Sequence, residues 1–271
     1  MGLRHEARLV LVAVQFLTRL PVRIPLQDGR FDPAWLHACA RHFPLVGAVV
    51  GGWGALVLAG AAALWPPVVA VLLSMAATVW LTGGFHEDGV ADTCDGLGGA
   101  VTRERALEIM KDSRLGSYGA LGLGLTLALK AVALTALLAT AGPALTAAAL
   151  VLAHGLSRAA TVVMLRLLPY GGDLAHAKAK PLAQQISRAG LAVALGWGAL
   201  LAAAAVLAGW PPLRVLAVVA AMALVVAVCA RWLRQRLGGY TGDALGATQQ
   251  WTELAAYLAL VAALPGAWEL A

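Results

Sequence analysis

The chain has 271 residues, 61% of them hydrophobic and 13% charged, with a mean hydropathy of +0.79 and a formal net charge of +6. A soluble domain carries roughly 25% charged residues, so this composition excludes an ordinary water-soluble globule and is that of a polytopic membrane protein. The three cysteines, Cys39, Cys94 and Cys229, lie far apart without CxxC or Cys/His ligand spacing, which excludes a disulfide framework and a zinc site.

Residues 9–20 are the first apolar stretch, flanked by arginines. A run of about 12 residues suits an interfacial or re-entrant helix better than a full crossing, with an eighth, tilted span as the alternative. A secretory signal is disfavoured, because no small-residue cleavage site precedes the Arg-rich residues 19–30. Residues 44–65 and 68–83 are apolar runs joined by Pro66-Pro67, which predicts a helical hairpin. Residues 117–141 and 144–168 pair around Gly142-Pro143, residues 190–209 and 213–230 pair around Trp210-Pro211-Pro212, and 251–268 follow alone. The expectation is an all-α fold: a polytopic integral membrane helical bundle of seven transmembrane helices plus the amino-terminal one. It forms a single transmembrane domain over 1–271, with 1–42 a basic amino-terminal segment.

The proline-containing turns carry no charge until Arg214. The alternate connections hold Arg103, Arg105, Lys111 and Arg114, then Lys178, Lys180 and Arg188, then Arg231, Arg234 and Arg236. The positive-inside rule puts these connections in the cytoplasm, together with an amino terminus carrying Arg4, Arg8, Arg19, Arg23, Arg30 and Arg41. Topology and lipid headgroups account for the positive charge, and no nucleic-acid partner is expected.

Residues 85–116 read as a cytoplasmic acidic loop carrying the active site. Glu87, Asp88, Asp92, Asp95, Glu104, Glu108 and Asp112 make up half of the 14 acidic residues. Asp88, Asp92 and Asp95 are spaced i, i+4, i+7, so in a helix their carboxylates share one face and repel each other unless a cation sits among them. Hard oxygen donors suit Mg²⁺ or Mn²⁺, with coordination sites left for water or substrate phosphate. The bland alternative is a solvated acidic loop held by Arg103, Arg105 and Arg114. Glu104 and Glu108 fit a plain helix, paired with Arg105 and Lys111.

The run from Lys111 to Gly119 brings cations, an acid and hydroxyls to the start of the third span. Lys130, His154, Arg158 and Arg166 are costly in hydrocarbon. His154 and Arg158 share a helix face, and Arg158 lies deep enough to need an anionic partner, either a structural aspartate or a substrate phosphate. Arg166 snorkels, and Lys130 has no partner visible in the sequence. The glycine-rich run from Gly238 to Gly246 leads into the last span, where backbone amides can cradle phosphate; Asp243 equally suits a helix cap.

Five stretches occur in order: Phe16-Leu17-Thr18-Arg19-Leu20-Pro21-Val22, Phe43-Pro44-Leu45-Val46-Gly47, Asp88-Gly89-Val90-Ala91-Asp92-Thr93-Cys94-Asp95-Gly96, Lys111-Asp112-Ser113-Arg114-Leu115-Gly116 and Gly238-Gly239-Tyr240-Thr241-Gly242-Asp243. Together they resemble the cobalamin synthase family, the adenosylcobinamide-GDP ribazoletransferases or cobalamin 5′-phosphate synthases, over nearly the whole chain. The resemblance implies a Mg²⁺-dependent enzyme of the bacterial inner membrane with its active site facing the cytoplasm. Its substrates would be adenosylcobinamide-GDP and α-ribazole or α-ribazole 5′-phosphate, and its products GMP and adenosylcobalamin or its 5′-phosphate. Membrane lipids, a second copy of the chain and other corrinoid enzymes are the further partners it suggests.

On this reading Asp88, Asp92 and Asp95, with Glu87 or Asp112, hold the metal. Arg19, Lys111, Arg114 and Arg158 are candidates for phosphate oxygens, as are Gly242 and Asp243 at the last helix start. An uncommitted carboxylate or His86 accepts the proton of the attacking hydroxyl. Transferases of the CDP-alcohol type and aspartate-rich prenyltransferases use the same metal logic on lipid diphosphates. The CDP-alcohol box, however, has an Arg after its Ala, where this chain has Asp92. A transporter would place its acids near the bilayer midplane.

Overall fold

The computed structural model describes residues 2–25, 30–99, 101–172 and 186–262, and these are predominantly helical. Lys178, Lys180 and the predicted last span beyond residue 262 lie outside the described residues. In chain order the elements are α1 (Leu3–Leu17), α2 (Ala34–Ala38), a 3₁₀ turn (Cys39–His42), α3 (Phe43–Ala62), α4 (Pro67–Thr82), α5 (Phe85–Gly98) and α6 (Arg103–Ile109). They continue with α7 (Ser117–Leu167), α8 (Arg188–Leu207), α9 (Pro212–Leu237) and α10 (Gly242–Val261).

Local chemistry explains the boundaries. Pro44, Pro67 and Pro212 sit in the first turns of α3, α4 and α9, where a missing N–H costs nothing. Thr102, Ser187 and Thr241 cap α6, α8 and α10, their side-chain oxygens accepting from the amides of Arg105, Gly190 and Ala244. Arginines close several carboxyl ends. Arg236 donates to the carbonyls of Leu97 and Gly99 after α5, Arg103 to Leu237 at the end of α9, and Arg234 to Leu167 at the end of α7. These three cations of the basic face are thus engaged in binding one helix end to another.

The α7 segment is not one straight rod. Gly142 has φ 79° and ψ 173° just before Pro143, whereas a straight helix of this length would run about 76 Å. Lys130 lies before the break and His154 after it, yet both reach the carboxylate of Glu253, at 2.5 and 3.2 Å. The segment therefore folds back on itself, and its limbs match the predicted runs 117–141 and 144–168. The second limb packs against α3 at Gly47 and Gly51, where an added Cβ would lie 2.2 Å from the His154 carbonyl oxygen and 2.5 Å from that of Leu150. Two glycines four apart permit this direct backbone contact.

Among the described residues, four helical stretches are long and apolar enough to cross a membrane: Ala34–Ala62, Ser117–Leu167, Arg188–Leu207 and Pro212–Leu237. The pair α4 and α5, bent by 89°, is a fifth if taken as one broken span. The protein is thus a helical membrane protein, with four or five candidate spans where the sequence reading gave seven. The difference has physical causes: the folded-back α7 counts once, α4 has 16 residues, and α10 buries Gln249, Gln250 and Glu253. The 15 residues of α1 reach about 22 Å, short of a hydrocarbon core of about 30 Å. Its Leu9, Val12, Ala13 and Leu17 pack in one cluster with Trp35, Cys39 and Phe43. Glu6 pins it to Arg41 and His42, at 3.2 and 2.9 Å.

Candidate active site

The acidic segment read as a loop is mostly helix. Gly83 and Gly84, at φ 75° and 72°, occupy the left-handed region and swing α5 away from α4. The new helix lies between the first turns of α7 and α10. On the α10 side, a Cβ on Gly89 would sit 2.6 Å from the carbonyl oxygen of Asp243 and 3.2 Å from Cα of Gly246. On the α7 side, Cys94 and Asp95 fill the space over Gly122 and Gly119. Gly89→Val should therefore push α10 off α5 and lower activity at least tenfold, an overpacking cost of about 1–3 kcal/mol, measured as catalytic rate and melting midpoint together.

Asp88, Asp92 and Asp95 share the outer face of α5, as their spacing requires. Asp88 is exposed, and Asp92 and Asp95 are half-buried. They are not equivalent. Asp95 accepts hydrogen bonds from the backbone amides of Gly116 and Gly119, each at 2.7 Å, so its carboxylate caps the start of α7. Asp243 is the second residue of α10, whose cap is Thr241; the alternative of Asp243 as the cap is therefore excluded. Its carboxylate joins the α5 acids instead. Burial, then Asp88, Asp243 and Asp95 in that order, push Asp92 up to about 7. Among the described residues no three His, Cys, Asp or Glu side chains stand close enough to enclose a metal ion by themselves.

The other sequence candidates fall into two groups. Near the site, Asp112 accepts hydrogen bonds from Arg114 at 3.0 and 2.5 Å, and Arg114 holds its carboxyl down at about 2. Lys111 is exposed in the same turn, and Arg19 lies over Gly83 at the hinge, 2.6 Å from the position of an added Cβ. Gly242 opens α10 with no neighbour within 4 Å of an added Cβ. Glu104 and Glu108 belong to the plain helix α6, Glu108 pairing with Arg105 at 2.9 Å.

Away from the acidic face, His86 is 4% exposed against α10, beside Gly246, and its Nδ1 has no partner among the described residues. Glu87 accepts from Gln250 at 2.9 Å. Arg158, 2% exposed, donates to the His154 carbonyl oxygen at 3.0 Å; among the described residues no aspartate pairs with it, and the nearby Glu253 pairs with His154.

The family model described as cobalamin-5-phosphate synthase matches residues 9–261. A Leptothrix cholodnii protein named adenosylcobinamide-GDP ribazoletransferase is 62% identical over 267 residues, 98% of each chain. The chain belongs to the cobalamin-5-phosphate synthase family. Proteins of the same name from Polaromonas naphthalenivorans and Shewanella amazonensis are 47% and 44% identical, over 94% and 95% of this chain and 97% and 96% of theirs. No solved structure matches.

This member of the cobalamin-5-phosphate synthase family also holds a buried polar network that the sequence reading missed. Glu253 is fully buried and takes four donors: Lys130 and Tyr257 on one oxygen, His154 and Gln249 on the other. Lys130 also donates to Gln250 at 3.3 Å. Lys130 was visible in the sequence as a charge without a partner. The corresponding signal in α10 was the polar run Gln249-Gln250 and Thr252-Glu253 within an apolar helix.

Proposed function

We propose that the chain transfers the cobinamide-phosphate part of adenosylcobinamide-GDP to α-ribazole or its 5′-phosphate, with release of GMP. The observation that carries this reading is the acidic face of α5 set between the starts of α7 and α10, in a chain 62% identical to a protein of that name. The ribazole hydroxyl oxygen forms a bond to the phosphorus on the cobinamide side. The bond from that phosphorus to the bridging oxygen breaks, and GMP leaves with the electron pair. A free carboxylate of the α5 face takes the hydroxyl proton.

Mg²⁺ fits the donor set. It keeps several waters and takes one or two carboxylates plus substrate phosphates, which suits the open acids Asp88, Asp92 and Asp243 without a closed protein cage. Bound there, it would supply neutralisation of diphosphate charge. Lys111 in the turn after α6, Arg19 at the Gly83 hinge and the open amide end of α10 at Gly242 are the groups we assign to phosphate oxygens. Asp95 serves the site by fixing the start of α7. We read α3, α4, the two limbs of α7, α8, α9 and α10 as the seven crossings, in a bacterial inner membrane with α5 at the cytoplasmic surface.

The titration of Asp92 gives a pH test. Its folded value of about 7 lies above its ordinary 3.8, so without divalent cations the folded state binds the extra proton between these values and stability falls as pH rises through that window. The melting midpoint in chelator should drop from about pH 5 to about pH 8, and Mg²⁺ should raise it more at the higher pH. Equal Mg²⁺ effects at both pH values would contradict the metal role of this face. For the reaction itself, purified protein with adenosylcobinamide-GDP, α-ribazole and Mg²⁺ should release GMP; turnover only of CDP-diacylglycerol or a prenyl diphosphate would assign the face to lipid substrates.

A further inference from the structure

Glu87 stands next to Asp88 in sequence, but it points elsewhere. Successive helical residues are turned by about 100°, and the Glu87 side chain leaves the acidic face for α10. Its Oε1 accepts from Nε2 of Gln250 at 2.9 Å. The Oε1 of Gln250 in turn accepts from the Lys130 ammonium at 3.3 Å, and that ammonium pairs with Glu253 at 2.5 Å. One side-chain amide thus links the active-site helix to the buried ionic centre of the bundle. The two ends of the link differ. Among the described residues, Glu253 has four donors on its two oxygens, whereas Glu87 has Gln250 on one oxygen and a buried second oxygen without a partner. The first is an anchor, and the second is held by a single bond.

We propose that Glu87 is a positioning residue, and that the Glu87–Gln250–Lys130 link sets the rotation of α5 so that Asp88 and Asp92 face the space in front of α10. This inference rests on the transferase reading above. The backbone contact at Gly89 and Gly246 fixes how close α5 and α10 come. The contact itself interlocks no side chains, because neither glycine has one. Asp95 ties the far end of α5 to the start of α7, and the link, one turn along α10 from Gly246, adds the constraint on the α10 side near Asp88. Gln250 suits this place because its amide accepts from the ammonium on one side and donates to the carboxylate on the other. A carboxylate at 250 could accept from Lys130 but would face Glu87 with like charge.

The test exchanges the partners. Gln250→Glu removes the donor to Glu87 and sets two carboxylates face to face, whereas Glu87→Gln keeps an acceptor oxygen and only exchanges a charge-assisted hydrogen bond for a neutral one. The double variant restores a charge-assisted bond with donor and acceptor reversed and the charge conserved. Gln250→Glu should lower kcat for GMP release about tenfold, with KM for α-ribazole unchanged, Glu87→Gln should lower it less, and the double variant should recover to within about threefold of wild type. The melting midpoint of the detergent-purified protein should fall in Gln250→Glu and recover in the double. A double variant as slow as Gln250→Glu, though folded, would overturn the inference. Wild-type rates in Gln250→Glu would overturn it equally. If Gln250→Glu does not accumulate, recovery is read from the accumulation and turnover of the double variant. No GMP from the wild type would defeat the transferase reading, while the melting midpoints of the same variants would still decide the link.

Discussion

Asp92→Asn lowers GMP release by about 10³-fold, the scale of losing one preorganised electrostatic group at a reacting centre, while the protein still inserts and melts cooperatively. Asp92 is the acid to choose because burial and then Asp88, Asp243 and Asp95 all raise its proton affinity. It therefore lies where negative charge is most concentrated and where a cation gains most. The amide keeps the shape and removes that charge, so in chelator the variant should be at least as stable as wild type. It should also lose the extra stabilisation by Mg²⁺ at high pH. Asp95→Asn gives a contrast. Its carboxylate is engaged with two amides at the start of α7, so its loss weakens a helix cap by about 1 kcal/mol and lowers activity less than Asp92→Asn.

Glu253→Gln has the largest expected effect on stability. It leaves Lys130 buried at 3% exposure without its carboxylate, and breaking a buried pair by removing one partner costs about 3–5 kcal/mol. The melting midpoint of the purified protein should fall by many degrees. Lys130→Met in the same chain should recover a large part of the loss, because the uncompensated charge is then gone. A single Glu253→Gln variant as stable as wild type would show that the network does not hold the limbs of α7 to α10.

The acidic face of α5 was legible because i, i+4, i+7 spacing is a local property of one helix, and the Gly142-Pro143 break was legible because backbone chemistry marks it. What each acid does was not legible. The commitment of Asp95 depends on amides 21 and 24 residues later, and Asp243 joins Asp88 only because Gly89 lets two helices touch. Lys130 finds Gln250 at a separation of 120 residues, which no periodicity reports. Length and composition alone do not recover the count of seven for a related reason: α10 buries polar side chains against protein partners, so its composition is not that of a helix facing lipid on all sides.

The measurement closest to the central claim is GMP release by the purified protein given adenosylcobinamide-GDP, α-ribazole and Mg²⁺, run beside Asp92→Asn. The account predicts stoichiometric GMP and a corrinoid carrying the ribazole, dependent on Mg²⁺ and lost in the variant. Undiminished turnover by a folded Asp92→Asn protein, or no GMP from the wild type, would contradict it.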